Sequence, residues 1–247
     1  MSEKTARVYG AKARMALMVP STNTVAETEF WRLAADGLTV HTSRMPFFAD
    51  RHARPFDAME SELPRVIEEM NSAEPDVIAY GCTASSAKGD PRDYEKALSG
   101  KIGKPTVTAA GALLAALRVF GAKRIALVTP YPQEINDKER RFFAENNIEV
   151  VEDESIIVDS DAPAFKNMHR VPTNVLTERA TALGSRKDVD AVVLSCCDMP
   201  TLDAIPAIEE AIGKPVTSSV QALFWSAARA AGIGDPVPGR GQLLAGG

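Results

Sequence analysis

The chain contains two copies of one sequence pattern, and this duplication constrains its fold more than any other feature. The segment Arg14–Pro20 reappears as Arg124–Pro130, and Ile102–Pro105 reappears as Ile212–Pro215, both at an offset of 110 residues. A duplicated chain folds as two similar halves, typically related by an approximate twofold axis. We therefore expect two lobes of like structure.

One cysteine occupies the same place in each copy. The segment Asp76–Cys82 corresponds to Asp190–Cys196 at an offset of 114 residues, and each cysteine follows a short apolar run. Residues that are equivalent under the approximate axis can face each other across the cleft between the lobes. The duplication therefore predicts an active site with two thiols, Cys82 and Cys196.

Each copy alternates short apolar segments with helical ones, which is typical of a parallel sheet covered by helices on both faces. The predicted fold is therefore α/β: two pseudo-symmetric lobes, each with a parallel-type sheet flanked by helices, and an active site in the cleft between them. We expect residues 1–108 and 218–247 to form the N-terminal lobe, and residues 109–217 the C-terminal lobe. The predicted strands include Met15–Val19, Val77–Tyr80, Ile125–Thr129 and Ala191–Leu194, and the predicted helices include Ala109–Phe120 and Ser219–Ala231.

Composition excludes several classes of protein. A net charge of −5 and an isoelectric point near 5.4 argue against a nucleic-acid-binding surface, which would be basic. No apolar run approaches the roughly 20 residues that span a bilayer, and the first residues lack the apolar core of a signal peptide. We expect a cytoplasmic protein that binds neither nucleic acid nor membrane. A homo-oligomer remains open.

Cysteine usage points away from disulfides and metals. The three cysteines are Cys82, Cys196 and Cys197, and in a reducing compartment they are reactive or buried thiols rather than a disulfide framework. The chain has no Cys-x-x-Cys or His-Glu-x-x-His pattern, and no glycine-rich phosphate loop follows a strand. The sequence therefore predicts no metal and no cofactor.

Polar loops follow the predicted strands, where the ligand crevice of such sheets lies. These loops supply candidate substrate-binding residues: Ser21, Thr22, Asn23, Thr83, Ala84 and Tyr131. For Asn23, a helix cap and a carboxylate ligand remain equally open interpretations. The charged segment Asn136–Glu145 is most simply interpreted as a solvated helix face.

Each cysteine has a structural alternative. Cys82 fits a buried small apolar residue, but the small residues after it predict a helix start, which lowers a thiol pKa. Because Cys82 and Cys196 occupy matching positions of the repeat, a functional role is favoured for both. Cys197 competes with Cys196, but adjacent residues of an extended segment point to opposite sides. The repeat alignment selects Cys196, which leaves Cys197 for packing and for a possible substrate contact through its backbone N–H.

These motifs resemble the Asp/Glu racemase superfamily, in its branch of maleate cis-trans isomerases and arylmalonate decarboxylases, over nearly the whole chain. Val19–Glu29 is similar to the isomerase opening motif, whose Asn binds a substrate carboxylate. Leu127–Tyr131 is similar to the segment whose Tyr also binds carboxylate. Val193–Leu202 carries the signature of the second cysteine. The resemblance implies a small carboxylate as the substrate.

The chain departs from this branch in two places. Arylmalonate decarboxylases have Gly in place of the first cysteine, whereas this chain has Cys82, which disfavours simple decarboxylation. Maleate isomerases carry a second substrate-contacting Asn. The best register places Phe165 there instead of Asn167, which leaves room for a larger or more apolar substrate. Both residues are kept as candidate substrate contacts.

The expected activity is cofactor-independent isomerisation of a small carboxylic acid, of the maleate-to-fumarate type. In that chemistry Cys82 adds to the alkene, the adduct rotates, and elimination follows with Cys196 as acid and base. A racemase would use the two thiols as opposed bases, and a decarboxylase of a substituted malonate would need only Cys196. A non-catalytic carboxylate-binding protein is a further alternative, although mere binding requires no pair of thiols.

Overall fold

The computed structural model describes residues 7–52, 54–162 and 165–246, which form two four-stranded sheets. All strand pairs are parallel. The first sheet has the order β2-β1-β3-β4, with β1 Ala13–Pro20, β2 Leu38–Met45, β3 Val77–Tyr80 and β4 Thr106–Thr108. The second has the order β6-β5-β7-β8, with β5 Arg124–Thr129, β6 Glu149–Ser155, β7 Ala191–Leu194 and β8 Val216–Ser218. The identical orders confirm the predicted α/β fold and the duplication.

Helices connect the strands and cover both sheets. The predicted helix Ala109–Phe120 is observed with the same bounds, and the last long helix ends one residue before its predicted end. The helices are α1 Ala26–Leu33, α2 Pro55–Ser61, α3 Leu63–Ser72, α4 Thr83–Ser86, α5 Pro91–Ile102, α6 Ala109–Phe120, α7 Gln133–Glu145, α8 Thr173–Gly184, α9 Ile205–Ile212, α10 Ser219–Ala230 and α11 Gln242–Gly246, with a 3₁₀ turn at Met168–Arg170. Within the described ranges, no helix is long and apolar enough to cross a bilayer.

The strands β3 and β7 are fully buried, as expected for strands covered on both faces. Their four-residue apolar runs place the following residues at the carboxyl edge of each sheet. Because Cys82 and Cys196 each come two residues after such a strand, the fold brings both to corresponding edges.

The helices α6 and α10 join the two lobes. Each begins with a side-chain cap: Thr108 accepts from the Gly111 N–H at 3.1 Å, and Ser218 accepts from the Gln221 N–H at 3.2 Å. The two helices pack on each other; α10 also contacts β3 and β4, and α6 contacts β7 and β8. The largest apolar core therefore contains residues of both copies. The expected lobe boundaries at 108/109 and 217/218 stay predictions.

The charged helix α7 is not only a solvated face. Asn136 and Glu139 are 0% and 1% exposed, because they share a helix face with the buried Ile135, Phe142 and Phe143. The prediction from sequence relied on the many charged residues of this segment and therefore did not identify its buried face.

Candidate active site

A cavity lies where the carboxyl edges of the two sheets meet. Both lobes contribute to its wall. The lining residues are Pro20, Thr22, Asn23, Phe47, Phe56, Gly81, Cys82, Thr83 and Ala84 from the first copy, and Tyr131, Phe165, Met168, Cys196, Cys197 and Asp198 from the second. The structure thus brings the two predicted thiols to one cavity.

Matching bonds hold the strand ends that carry the cysteines. The Gly81 N–H donates to the Met18 carbonyl, and the Ser195 N–H donates to the Val128 carbonyl, both at 2.8 Å. The cysteine that follows each of these residues is buried, with 7% of Cys82 and 2% of Cys196 exposed. These two side chains are therefore placed by backbone bonds on rigid strands rather than by mobile loops.

Burial governs the acidity of both thiols. It raises the pKa of Cys82, and the nearby Ser85 hydroxyl and N–H oppose the shift only in part. The expectation of a lowered pKa at Cys82 is therefore wrong for this structure: α4 is a single turn, and desolvation outweighs it. Burial raises the pKa of Cys196 well above its ordinary range, and the nearby charge of Asp198 adds to the effect.

Cys197 packs where the lobes meet. Its sulfur lies 3.5 Å from the Thr83 hydroxyl and belongs to the core shared by both copies, whereas Cys82 and Cys196 belong to separate smaller cores. Cys197 also reaches the cavity wall. Its packing role and its contact with substrate therefore both stay predictions.

Asn23 caps α1 and also lines the cavity. Its side-chain oxygen accepts from the N–H groups of Val25 and Ala26, at 3.1 and 3.0 Å, at the start of α1. Its side-chain nitrogen donates to the Cys197 carbonyl at 2.8 Å. An amide nitrogen carries two donors, so one N–H of Asn23 remains for a ligand in the cavity.

Two predicted site residues carry hydroxyl groups. Tyr131 is 3% exposed, and burial raises the pKa of its hydroxyl well above the ordinary range, with the nearby Cys196 adding to the effect. Thr83 donates its hydroxyl to Ser219 at 2.8 Å, at the start of α10. The structure places Thr22 and Ala84 in the wall as well, as expected from their loops.

Two candidate residues lie outside the cavity wall. The Ser21 hydroxyl accepts from the Phe47 N–H at 3.0 Å and lies 3.4 Å from the Phe47 carbonyl, so it fixes the chain after β2 instead. Asn167 faces the neighbouring surface pockets, and its amide reaches Asp159 at 3.5 Å. Phe165, two residues earlier, takes the place in the wall.

Three phenylalanines form one side of the cavity. The rings of Phe47, Phe56 and Phe165, here called the phenylalanine cluster, have centroids 5.2 to 5.7 Å apart, and both contacts of Phe165 are edge-to-face. Sequence analysis missed Phe47 and Phe56. The position of Phe47 just after β2 gave a usable signal, because other strand ends supply site residues, but nothing local marked Phe56 on α2.

Asp198 contributes a carboxylate to the cavity wall. Sequence analysis did not name it as a candidate site residue. Its oxygen accepts from the Thr24 N–H at 2.8 Å, and His169 Nδ1 lies 4.0 Å away. Burial still raises the pKa of Asp198 to about 6. Because no lysine, arginine or histidine of the described residues lines the cavity, uncharged donors must hold an anionic ligand there.

The family is decided by a match over most of the chain. Residues 20–244 match the family of arylmalonate decarboxylases. The chain belongs to this family. Curated relatives place it in the branch that also contains maleate isomerases: those of Pseudomonas putida and Geobacillus stearothermophilus are 32% and 30% identical over 250 residues, which cover 94% of this chain and 97% of each relative. The arylmalonate decarboxylase of Bordetella bronchiseptica is 37% identical over 144 residues, 58% of each chain.

Solved structures of this family confirm the fold. Nocardia farcinica maleate cis-trans isomerase bound to TRIS has a TM-score of 0.85 at 27% identity and covers 94% of this chain and 98% of its own. A mutant of the same enzyme with a covalently bound succinylcysteine intermediate has a TM-score of 0.86 at 26% identity and equal coverage. An arylmalonate decarboxylase has a TM-score of 0.81 at 28% identity.

Proposed function

We propose that this protein is a cis-trans isomerase of a small maleate-type carboxylic acid, working through a covalent adduct on Cys82 and without a cofactor. The observation that carries this proposal is the pair of thiols, Cys82 and Cys196, at equivalent strand ends in the wall of one cavity. The similarity to maleate isomerases over 94% of the chain supports it. So does the succinylcysteine in a structural relative.

Substrate binding would use uncharged donors. The remaining N–H of Asn23 and the backbone N–H groups of Thr83 and Ala84, at the start of α4 where intrahelical acceptors are lacking, would bind one carboxylate. The Tyr131 hydroxyl beside Cys196 would serve the other end of the substrate. Such donors stabilise charge that develops on a carboxylate without a permanent cation in the wall.

Addition begins the reaction. The Cys82 thiolate forms a carbon–sulfur bond to one alkene carbon, and the π electrons move to the neighbouring carbon, where the adjacent carboxylate delocalises them. The Cys196 thiol then gives its proton to that carbon. The adduct has a single bond at the former alkene position, so it can rotate. In reverse order, the Cys196 thiolate removes a proton, the carbon–sulfur bond breaks, and the trans isomer leaves with Cys82 again a thiolate.

The two thiols differ in their surroundings. Burial raises the pKa of both, and the charge of Asp198 adds to the effect at Cys196, although the Asp198 N–H donates to the Cys196 sulfur at 3.2 Å. A raised pKa suits Cys196 for the role of the acid that gives its proton to the adduct.

The phenylalanine cluster supports a substrate with an apolar substituent on the alkene. Phe165 lines the cavity, whereas Asn167 does not reach its wall. Burying one methyl or methylene group against such a surface is worth about 1 kcal/mol. We therefore propose that a 2-substituted maleate is converted more efficiently than maleate itself.

Decarboxylation of a substituted malonate is the second candidate. The family match and the Bordetella bronchiseptica relative favour it, as does the phenylalanine cluster, which suits an aryl group. In that reaction Cys196 would protonate the enediolate after loss of CO₂. Cys82 would form no bond to carbon.

The deciding experiment is acid quenching during turnover. The protein is mixed with 2-methylmaleate, maleate or phenylmalonate in deuterated buffer, followed by NMR, then quenched and digested for mass spectrometry. We expect isomerisation and a Cys82 peptide heavier by one substrate mass, which accumulates in Cys196→Ala. Cys197→Ala is the matched control with ordinary adduct levels. Turnover of maleates without an adduct would contradict the addition mechanism, and CO₂ release alone would establish the second candidate.

Two further expectations accompany this function. We propose a cytoplasmic location, since all three cysteines are free thiols that an oxidising compartment would threaten. A homo-oligomer remains a prediction that light scattering tests.

A further inference from the structure

Each lobe carries a buried glutamate at the same place in the repeat. Glu29 on α1 and Glu139 on α7 are 110 residues apart, the offset that also relates Pro20 to Pro130. They are 4% and 1% exposed. A buried carboxyl group is costly unless it is hydrogen-bonded or neutral, so the two sites invite comparison.

Glu29 is fully satisfied by the opposite lobe. Its carboxylate accepts from the N–H groups of Thr201 and Leu202, at 2.8 and 3.0 Å, and from the Thr201 hydroxyl at 3.3 Å. These residues follow the Cys196–Cys197 strand end and are not helical there, so their N–H groups are free to bind across the interface.

Glu139 lacks such partners. Neither carboxyl oxygen makes a hydrogen bond of sound geometry within the described part of the chain, and the Ser195 hydroxyl, which faces the carboxyl group, makes none either. By the repeat, the segment after Cys82 is the equivalent partner, and the end of α7 contacts it: the Asn146 amide donates to the Gly89 carbonyl at 3.3 Å.

The difference between the two glutamates comes from α4. The chain after Cys82 closes into a helical turn, in which the Ala87 N–H donates to the Thr83 carbonyl and the Lys88 N–H donates to the Ser86 carbonyl, both at 2.9 Å. These amides are used within the turn, whereas the corresponding amides of the second lobe bind Glu29. Glu139 is left without a donor among the described residues.

A carboxyl group in this position is neutral at neutral pH. Burial raises the pKa of Glu139 to about 8, the Ser195 hydroxyl lowers it only partly, and no cation of the described residues acts on it. The charged form of Glu139 in turn raises the pKa values of Cys82 and Tyr131. Glu60 also acts on Cys82, but it is paired with Lys88 at 2.7 Å.

We propose that Glu139 is a positioning residue that acts through Cys82. The neutral carboxyl group of Glu139 allows the Cys82 thiolate to form. The negative carboxylate, once its proton has left for solvent, disfavours that thiolate. This inference rests on the proposed nucleophilic role of Cys82. As a consequence, the thiolate fraction of Cys82 should rise less steeply with pH than that of an isolated thiol, because Glu139 ionises first and its negative charge opposes the second ionisation.

The test is the alkylation rate of Cys82 with iodoacetamide, followed by peptide mass spectrometry from about pH 6 to about pH 10, in the range where thiols titrate. Glu139→Gln keeps the shape of the side chain and removes its charge. We expect its Cys82 to react about three- to tenfold faster than in the natural protein above about pH 8, because removal of the charge lowers the pKa of the thiol. Glu134→Gln, on the exposed face of the same helix, should leave the rate unchanged.

Identical alkylation profiles for the natural protein and Glu139→Gln would overturn the inference. A second measurement on the natural protein does not depend on the variant folding: infrared spectroscopy should detect a protonated carboxylic acid that titrates near pH 8, and its absence would equally overturn the inference. Alkylation requires no turnover. A shifted profile in a protein that isomerises nothing would refute the proposed reaction while leaving the coupling of Glu139 to Cys82 intact.

Discussion

The side-chain amide of Asn23 in the first lobe donates to the backbone carbonyl of Cys197 in the second, at 2.8 Å. The neighbouring Thr24 N–H donates to Asp198 at 2.8 Å, and Glu29 binds Thr201 a few residues further on. The loop before α1 therefore holds the strand end that carries Cys196. Closure between the lobes and placement of the second thiol are one structural feature, because the same bonds produce both.

Replacing Asn23 should damage stability and activity together. Asn23→Ala leaves the Cys197 carbonyl and two N–H groups without their partner in a buried site, which costs about 1 to 3 kcal/mol for each group left unsatisfied. We expect a lower urea midpoint and a kcat/KM reduced by at least about tenfold. Asn174→Ala, at an exposed position of α8, is the control. An unchanged urea midpoint in Asn23→Ala would contradict the role of these bonds.

The three cysteines should respond differently to alanine. Cys82→Ala removes the nucleophile and should abolish turnover. Cys196→Ala removes the acid and base and should lower kcat by about 10² to 10⁴-fold. Cys197→Ala leaves substantial activity, because its sulfur packs against Thr83 in the shared core. Steady-state kinetics on the three variants decides the matter, and a dead Cys197→Ala enzyme with an active Cys196→Ala one would show that the repeat alignment is off by one residue.

The parts of the molecule that sequence predicted are those with local signals. Apolar runs mark β3 and β7, and the repeat offsets pair Cys82 with Cys196 without any knowledge of the cleft. The place of Asn23 in the wall followed in the same way from its position after a strand. These features depend on the chain next to them, so a single sequence is enough to predict them.

The parts that it did not predict depend on contacts between distant segments. Phe56 reaches the cavity from α2 because it packs on Phe165, more than a hundred residues away. Glu139 lies in a charged segment whose composition indicated solvent exposure. The raised pKa of Cys82 depends on how completely both lobes bury the thiol, which no local pattern records.

Phe165 should control the choice between maleate and its substituted analogues. Its backbone has a φ of 66°, a left-handed conformation that asparagine tolerates better than phenylalanine. Phe165→Asn is therefore compatible with the backbone and replaces an apolar wall by an amide. We expect kcat/KM for 2-methylmaleate relative to that for maleate to fall by about tenfold or more. Phe48→Asn, at a partly exposed ring near the cavity mouth, should leave the ratio unchanged. An unaltered ratio in Phe165→Asn would remove this residue from substrate selection.

The pH dependence of stability should report the buried acid directly. The ordinary pKa of Glu139 is 4.5 and its pKa in the folded protein is about 8. Between these values the folded chain holds a proton that the unfolded chain has lost, so the free energy of unfolding falls as pH rises, by about 1.4 kcal/mol per unit. The contribution of the Glu139 proton to stability is complete below the pKa of the unfolded chain, 4.5, and is lost above the pKa of the folded protein, about 8.

Glu139→Gln has no such proton, so urea unfolding of the natural protein and of this variant isolates the effect. The free energy of unfolding of the natural protein, minus that of the variant, should decline by a few kcal/mol from about pH 4.5 to about pH 8 and then level off. The same difference taken with Glu134→Gln should stay flat, because that carboxylate lies in solvent in both states. A decline confined to pH values below about 5 would mean that Glu139 is ionised in the folded protein. The carboxylate would then have donors that the helical turn after Cys82 withholds in this structure, and that turn would have to open to supply them.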